Sequence, residues 1–412
     1  MKHRIAIKIS LFFNYCIFAV LLNSVGNVIL QVQGSFGVSE SSASVLEAFK
    51  DLSIAIASFL VASFVARMGY KRTMLVGLTI IFVASISAPQ LPSFLMTKII
   101  FAATGVSFAL MKVSVFATLG LVTKGQREHA SWMNFLEAFF MVGVLSGYFI
   151  FAAFVDDQNP ASVDWFNFYY LVAAASLLAF LFLLSVPLDE SEISGEAEES
   201  IADSFSAMLK LCVKPLVLTF VLSVFLYVLI EQGIMSWLPT FNNKILSLPA
   251  SLSIQMASIL AISIALGRFI AGFAVKRIHW YPLLVITIVA AGALVLVALP
   301  LAGSVDKSVA VTSWFDAPLA AFIFPLIGLC LAPIYPIINS VILSSLPKTQ
   351  HAPMTGLIVV FSALGGTTGS LITGNLFEHF DGSKVFYFSL VPMLVILVIL
   401  KFFKSLSEKQ DA

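Results

Sequence analysis

The 412-residue chain carries 23 lysines and arginines against 22 aspartates and glutamates, a formal net charge of +1, and 59% of its residues are hydrophobic while only 11% are charged. That balance is far too apolar for a soluble fold of this length. It also excludes a nucleic-acid binder, whose footprint would be a basic patch with interleaved aromatics. The composition points to an all-α membrane protein.

In chain order, apolar runs of about 20 residues or more place membrane helices near 7–33, 41–66, 72–90, 94–122, 129–155 and 164–186, then near 214–240, 250–275, 280–302, 314–345, 352–376 and 383–403. The first run continues to Val32 without a small-residue cleavage site, so it reads as a retained span and not as a signal peptide. The two sets of six are separated by Pro187 to Lys214, the one long hydrophilic stretch. It opens with seven acidic residues from Asp189 to Asp203 and closes with Lys210 and Lys214, so it must lie in water. The expected organisation is a six-helix bundle over 1–186, an acidic linker over 187–213 and a second bundle over 214–412.

The basic residues set the orientation. Lys2, Arg4, Lys8, Arg67, Lys71, Arg72, Lys276 and Arg277 fall on one side, whereas the opposite loops carry Asp156, Asp164, Asp316 and Asp381. The positive-inside rule puts both termini and the linker in the cytoplasm. No Asn-x-Ser/Thr sequon occurs, which favours a bacterial inner membrane. Cys16, Cys212 and Cys330 sit in or beside apolar runs at no metal-ligand spacing and read as buried thiols. No metal and no cofactor is expected.

The halves repeat each other. A basic turn follows the second span of each half, in ARMGYKR (Ala66 to Arg72) and AVKRIHW (Ala274 to Trp280). Span 5 holds GVLSG (Gly143 to Gly147) and span 11 holds GGTTGSLITG (Gly365 to Gly374), glycines four apart that let helices approach closely. Pro325, Pro333 and Pro336 interrupt span 10 and predict a bent helix there.

Six plus six helices, the basic turn after span 2 and the long central loop resemble the major facilitator superfamily over essentially the whole chain. Within it, MNFLEAFFMVG (Met133 to Gly143), YVLIEQGIMSWLPTF (Tyr227 to Phe241), ALGRFIAG (Ala265 to Gly272) and LAPIYPIINS (Leu331 to Ser340) resemble the fucose-galactose-glucose proton symporter family. The resemblance implies a major facilitator fold of two pseudo-symmetric six-helix bundles working by alternating access. Arg67, Gly69, Lys71 and Arg72 match the superfamily's loop motif and are expected at the cytoplasmic gate, with Arg268 as a brace. Ala66 stands where that motif usually has aspartate. Sugar symporters of this type carry acidic residues on spans 1 and 4, where this chain offers Asn27 and Lys112.

An ionisable side chain inside the bilayer costs about 2.5–3.5 kcal/mol on insertion scales, so each needs a partner or an aqueous cavity. Glu231 lies deep in span 7, with Tyr227 one turn earlier and Gln232 adjacent, which suits a polyhydroxylated ligand; the plainer reading is a helix–helix hydrogen bond. Glu137 on span 5 and Lys112 on span 4 fall at similar depth, either as a structural ion pair or as a pair that solute or proton breaks. Asn23, Asn27 and Gln31 recur at steps of four on span 1, either bonding neighbouring helices or presenting amides to hydroxyl-rich or nucleoside-like solutes. Asn134, Tyr335 and Asn339 would complete the ring. Glu47, Lys50 and Asp51 are spaced to pair with one another. Glu47 joins Glu137 and Glu231 as a candidate proton carrier.

Enzyme readings fail for want of parts: there is no Gly-x-x-x-x-Gly-Lys-Ser/Thr loop, and the five histidines lie in loops or termini without a carboxylate cluster. The sequence is therefore expected to encode a monomeric secondary transporter in the lipid bilayer, taking up a small polar solute with protons. Sugar leads; a nucleoside, amino acid or organic acid is the alternative, with drug efflux or a non-transporting receptor behind it.

Overall fold

The computed structural model describes residues 2–123, 125–190, 201–306, 310–347 and 350–411; ten residues of the acidic linker, 191–200, and the side chain of Arg67 lie outside the described residues. No strand occurs among the described residues. Eleven helical segments are long and apolar enough to cross a membrane. The 29-residue helix Glu40–Met68, with Glu47, Lys50 and Asp51 in its N-terminal half, stands beside them as the twelfth.

The chain divides into two compact units, one of residues 1–36 and 49–201, the other of residues 37–48 and 202–412. The first contains α1 (Lys2–Leu22), α2 (Val25–Phe36), most of α3 (Glu40–Met68), α4 (Tyr70–Ser87), α5 (Phe94–Val122), α6 (Gly125–Ala152) and α7 (Phe168–Ser185). Here α4 packs on α5 and α7, and α1 packs on α5, α6 and α7. The α1–α6 contact is glycine-mediated: a Cβ on Gly143 would lie 2.7 Å from the Ala19 Cβ and 2.8 Å from the Cys16 carbonyl oxygen.

The second unit holds α8 (Ile201–Cys212), α9 (Pro215–Met235), α10 (Leu238–Lys244), α11 (Ala250–Ala274), α12 (Trp280–Gly303), the short α13 (Ala320–Ile323) and α14 (Ile327–Leu331), α15 (Ile334–Ser344), α16 (His351–His379) and α17 (Leu390–Asp411). Its centre is α9, against which α16, α17 and α15 pack. The matching glycines recur: a Cβ on Gly365 or Gly369 of α16 would stand 2.4 Å from the Phe225 carbonyl oxygen or 2.2 Å from that of Leu229. Backbone meets backbone there, which only glycine permits. The exteriors are apolar: Leu95, Leu178, Phe269 and Leu394 are 61–68% exposed, as surfaces that meet acyl chains must be.

Three membrane segments are broken, each for a local reason. Between α1 and α2, the Asn23 amide donates to the Ala19 carbonyl at 2.9 Å and the Ser24 hydroxyl to that of Leu21 at 2.7 Å. These side chains take acceptors that the helix ladder would use. Between α9 and α10 the helix yields at Ser236 and Trp237, with Pro239 in the first turn of α10 supplying no donor. Segment 320–344 is split at Pro325 and Pro333, as its prolines predict, while Pro336 is absorbed into the first turn of α15.

Candidate functional site

In the first unit, α1 and α6 meet at a carboxylate. The buried Tyr15 donates its hydroxyl to Glu137 Oε1 at 3.2 Å. Glu137 is itself exposed, yet it follows the exposed Phe135 by two positions, about 200° around the helix. It therefore faces away from the lipid-type surface of α6. The Lys112 ammonium of α5 is exposed too and stands 5.7 and 5.9 Å from the Phe108 and Phe116 rings. Those rings are one turn before and one turn after it on the same helix face, so they draw the ammonium along α5 by cation–π attraction. Among the described residues Lys112 forms no ion pair with Glu137, although the carboxylate lies near enough for its charge to act on the ammonium. Phe140 completes the wall, its ring 4.8 Å from that of Tyr15.

The second unit builds a similar group. The fully buried Tyr227 donates to Glu231 Oε1 at 2.6 Å, one turn along α9. Arg268, from α11, brings Nη2 to 4.0 Å from the same oxygen; the Glu231 side chain is 14% exposed and the Arg268 side chain 47%. The Tyr335 ring of α15 lies 5.8 Å from that of Tyr227, and its hydroxyl is 3.4 Å from Ser362 Oγ. Gln232 is half-buried beside them. Each unit thus holds a carboxylate on a tyrosine hydroxyl with a cation nearby, within ion-pair distance only in the second unit. A carboxylate so held keeps lone pairs for a further donor, and a cation not locked into a bidentate pair keeps donors for an acceptor.

The remaining expected site residues are placed less decisively. Asn27 is buried with Oδ1 making no hydrogen bond among the described residues, and so is Oδ1 of the half-buried Asn339. Buried amide oxygens without partners are unusual in a settled core and are what a polar solute would satisfy. Asn23 spends its amide on the α1 backbone, Gln31 is buried on α2, and Asn134 is exposed on α6. Glu47 accepts from Ser236 Oγ at 2.7 Å, and Lys50 pairs with Asp51 at 3.4 Å.

Around the loop motif, two helix ends cap each other. Lys71 Nζ donates to the Leu184 and Val186 carbonyls at 3.0 and 2.7 Å, closing the C-terminus of α7. In return Glu190 Oε1 accepts from the Lys71 amide at 2.9 Å at the start of α4. Gly69, at φ 86°, makes that turn, and a Cβ there would meet Glu190 Oε2 at 2.7 Å. Arg72 is exposed.

The loop motif, the glycine-packed helices and the twelve membrane segments have their counterpart in sequence comparison: the family model of the Major Facilitator Superfamily matches residues 11–324. The chain belongs to that superfamily. It is a multi-pass membrane transporter and not an enzyme. No curated protein matches its sequence. Among solved structures, this superfamily member is similar to a point mutant of the nucleoside transporter NupG, at 16% identity and TM-score 0.76 over 97% of this chain and 99% of that one. It is similar to a bacterial homolog of the human lysosomal transporter Spinster, at 14% identity and TM-score 0.75 over 100% and 98%. The D-xylose-proton symporter follows at 12% identity and TM-score 0.73 over 96% and 97%. Identities this low establish a shared fold.

Sequence reasoning does not single out Tyr15, Ser236 or Glu190. Tyr15 precedes the Asn23 break by eight residues as Tyr227 precedes the Ser236 break by nine, a parallel that emerges only with the helix breaks of the structure. Glu190 falls in a stretch whose charge alone explains it.

Proposed function

We propose that this transporter takes up a small polar solute with protons, a sugar in the first place, across a bacterial inner membrane with both termini in the cytoplasm. The observation that carries the reading is Tyr227–Glu231–Arg268: a carboxylate hydrogen-bonded by a phenol, flanked by a guanidinium and open on one side. Such a carboxylate accepts paired solute hydroxyls, and it carries a proton when the neighbouring guanidinium turns away. Glu137 with Tyr15 is the equivalent group of the first unit, and Glu47 is the third candidate carrier. Arg67, Gly69, Lys71 and Arg72 would serve the cytoplasmic gate, and the protein would work as a monomer. The likeness to a xylose-proton symporter supports both the solute class and the coupling.

A second reading has its own observation. Lys112 is exposed, rests on ring faces and is locked into no ion pair, so it can bind an anionic or zwitterionic solute, and the likeness to a nucleoside transporter keeps nucleosides in the panel. The experiment is uptake by purified protein in liposomes under an inward proton gradient, with labelled sugars, nucleosides, amino acids and organic acids, beside Glu231→Gln. Gradient-driven accumulation of one class, lost in the variant while counterflow persists, supports the proposal. Equilibration without accumulation overturns proton coupling.

A further inference from the structure

The first unit carries a groove of about 550 Å³ on its apolar exterior, between α4 and α5. Val76, Ile80, Val83 and Ser87 recur along α4 at steps of three and four, so they share one helix face. Met96, Ile99 and Ala103 do the same on α5. Val76, Val83 and Ile99 stand 41%, 54% and 47% exposed as the rims, whereas Ala84 and Met96, at 8% and 7%, form the floor. The walls offer a ligand no free donor. The Thr79 hydroxyl donates to the Leu75 carbonyl at 2.9 Å and the Ser87 hydroxyl to that of Val83 at 2.8 Å, each turned back on its own helix. None of the lining residues is charged. A polar solute or a headgroup would find nothing to bond there, while a hydrocarbon chain gains a dispersion contact with each lining carbon.

The groove is closed at one end. Gly77 brings α4 against α5, since a Cβ there would lie 3.1 Å from the Ser107 carbonyl oxygen and 3.5 Å from the Leu110 Cβ. Beside that contact Ile80 and Val106 pack on Val61, Val65 and Leu110, so side chains of α3, α4 and α5 fill the space. Helices that touch at one point of a crossing diverge on either side of it. Toward the connection at 88–93 the small Ala84 and Ala103 leave a wedge-shaped space between the helices. From Val76 to Ser87 the groove follows about 16 Å of helix at 1.5 Å per residue. One leaflet of a bilayer whose hydrocarbon core is about 30 Å thick offers about 15 Å of acyl chain. The two lengths agree.

We propose that this groove is a binding site for one acyl chain of a membrane phospholipid, entering beside the α4–α5 connection with its methyl end at Val76. The chain is selected by shape and not by its headgroup. It also acts as a wedge: it sets how far α4 stands from α5 beyond the Gly77 contact, and α5 carries Lys112 five residues past Ser107. No residue of the groove belongs to the proposed solute site.

The test places the purified full-length protein in nanodiscs of phosphatidylethanolamine and phosphatidylglycerol. The bilayer is doped with phosphatidylethanolamine carrying a photoactivatable diazirine near the glycerol, at mid-chain or near the methyl end. After irradiation the adducts are mapped by peptide mass spectrometry. Each close carbon pair contributes little, but a chain in the groove makes many where a chain on an open helix face makes few. Labelling of the groove should therefore exceed that of the comparably exposed Leu178 and Leu181 of α7 about tenfold. The probe near the glycerol should mark Ser87 and Met96, and the probe near the methyl end Val76 and Ile80. Ala103→Phe fills the groove and should abolish the excess while Leu178 labels as before. Ile99→Ala removes one rim and should cut the excess several-fold, which keeps the test valid if Ala103→Phe misfolds. Phosphatidylcholine with the same chain should label alike. Equal labelling of the groove and α7 means contact with bulk lipid only and overturns the site. Labelling that follows the headgroup, or that a free fatty-acid probe gives and the phospholipid probes do not, overturns the assignment to a phospholipid chain. A reversed depth order overturns the placement of its methyl end. The expected labelling together with failure of the liposome assay would sink the transport reading and leave the groove standing.

Discussion

Replacing Gly369 by alanine tests whether the close approach of α16 to α9 shapes the site. The new Cβ would stand 2.2 Å from the Leu229 carbonyl oxygen and 2.9 Å from its carbonyl carbon and Cα. Ordinary contact begins near 3.5 Å, so α9 must retreat by about 1 Å at a position two residues from Glu231. No rotamer relieves the clash, because the obstacle is backbone. Overpacking of this kind costs about 1–3 kcal/mol. Alanine also gains up to about 1 kcal/mol over glycine in a helix. That gain is common to any helical glycine, so the control is Gly272→Ala on α11, where a Cβ meets nothing within 4 Å. The difference between the two variants isolates the clash. At roughly 2–4 °C per kcal/mol for a unit of this size, Gly369→Ala should melt about 2–12 °C below Gly272→Ala, read by fluorescence-monitored unfolding in detergent. Uptake should fall in the first variant and hold in the second. If the two melt within about 1 °C of each other and transport alike, the backbone contact does not exist in the working protein.

Because Lys112 is held by Phe108 and Phe116 and not by Glu137, Lys112→Met and Glu137→Gln should be additive in uptake to within about 0.5 kcal/mol, whereas a true buried pair would show coupling of several kcal/mol in the double-mutant cycle. Glu190→Ala and Lys71→Met each remove a helix cap and should destabilise by about 0.5–2 kcal/mol, and because they share one turn their effects should not sum; melting of the single and double variants decides it. The Ser313 and Thr312 hydroxyls hold the Asp316 carboxyl, on the loop before α13, below its ordinary value. A depressed carboxyl contributes stability above its unfolded pKa and loses it as pH falls through the folded one, so pepsin cleavage beside Trp314 should rise only below about pH 4. In Asp316→Asn that pH dependence should vanish.

The periodic and bulk features were legible because they depend on composition over whole helices. Twelve apolar segments, the basic turns and the matched glycines follow from what a bilayer tolerates, and Gly143, Gly365 and Gly369 sit where their spacing put them, against neighbouring backbone. The proline breaks of segment 320–344 follow from the missing donors of Pro325 and Pro333. The break at Asn23 has no proline near it and does not announce itself: its cause is which acceptor a short polar side chain takes, and one sequence does not say. At Ser236 the sequence shows Pro239 but not the bond from the Ser236 hydroxyl to Glu47.

The same limit governs the site. Sequence places Glu137 and Lys112 at one depth, which makes an ion pair the plain expectation, but depth along a helix says nothing of azimuth. The aromatic neighbours at four-residue spacing on α5 decide it, and they are visible in the sequence as Phe108 and Phe116. Resemblance assigns Arg268 to a gate, while the fold of the second unit sets its guanidinium against Glu231. In both units the carboxylate is therefore hydrogen-bonded by a phenol on a broken segment, Tyr15 on α1 and Tyr227 on α9, while among the described residues only Glu231 also has a cation within ion-pair distance. A phenol is neutral and adapts to either protonation state of its partner, which a fixed ion pair does not. That arrangement suits a carboxylate whose charge must change during a transport cycle.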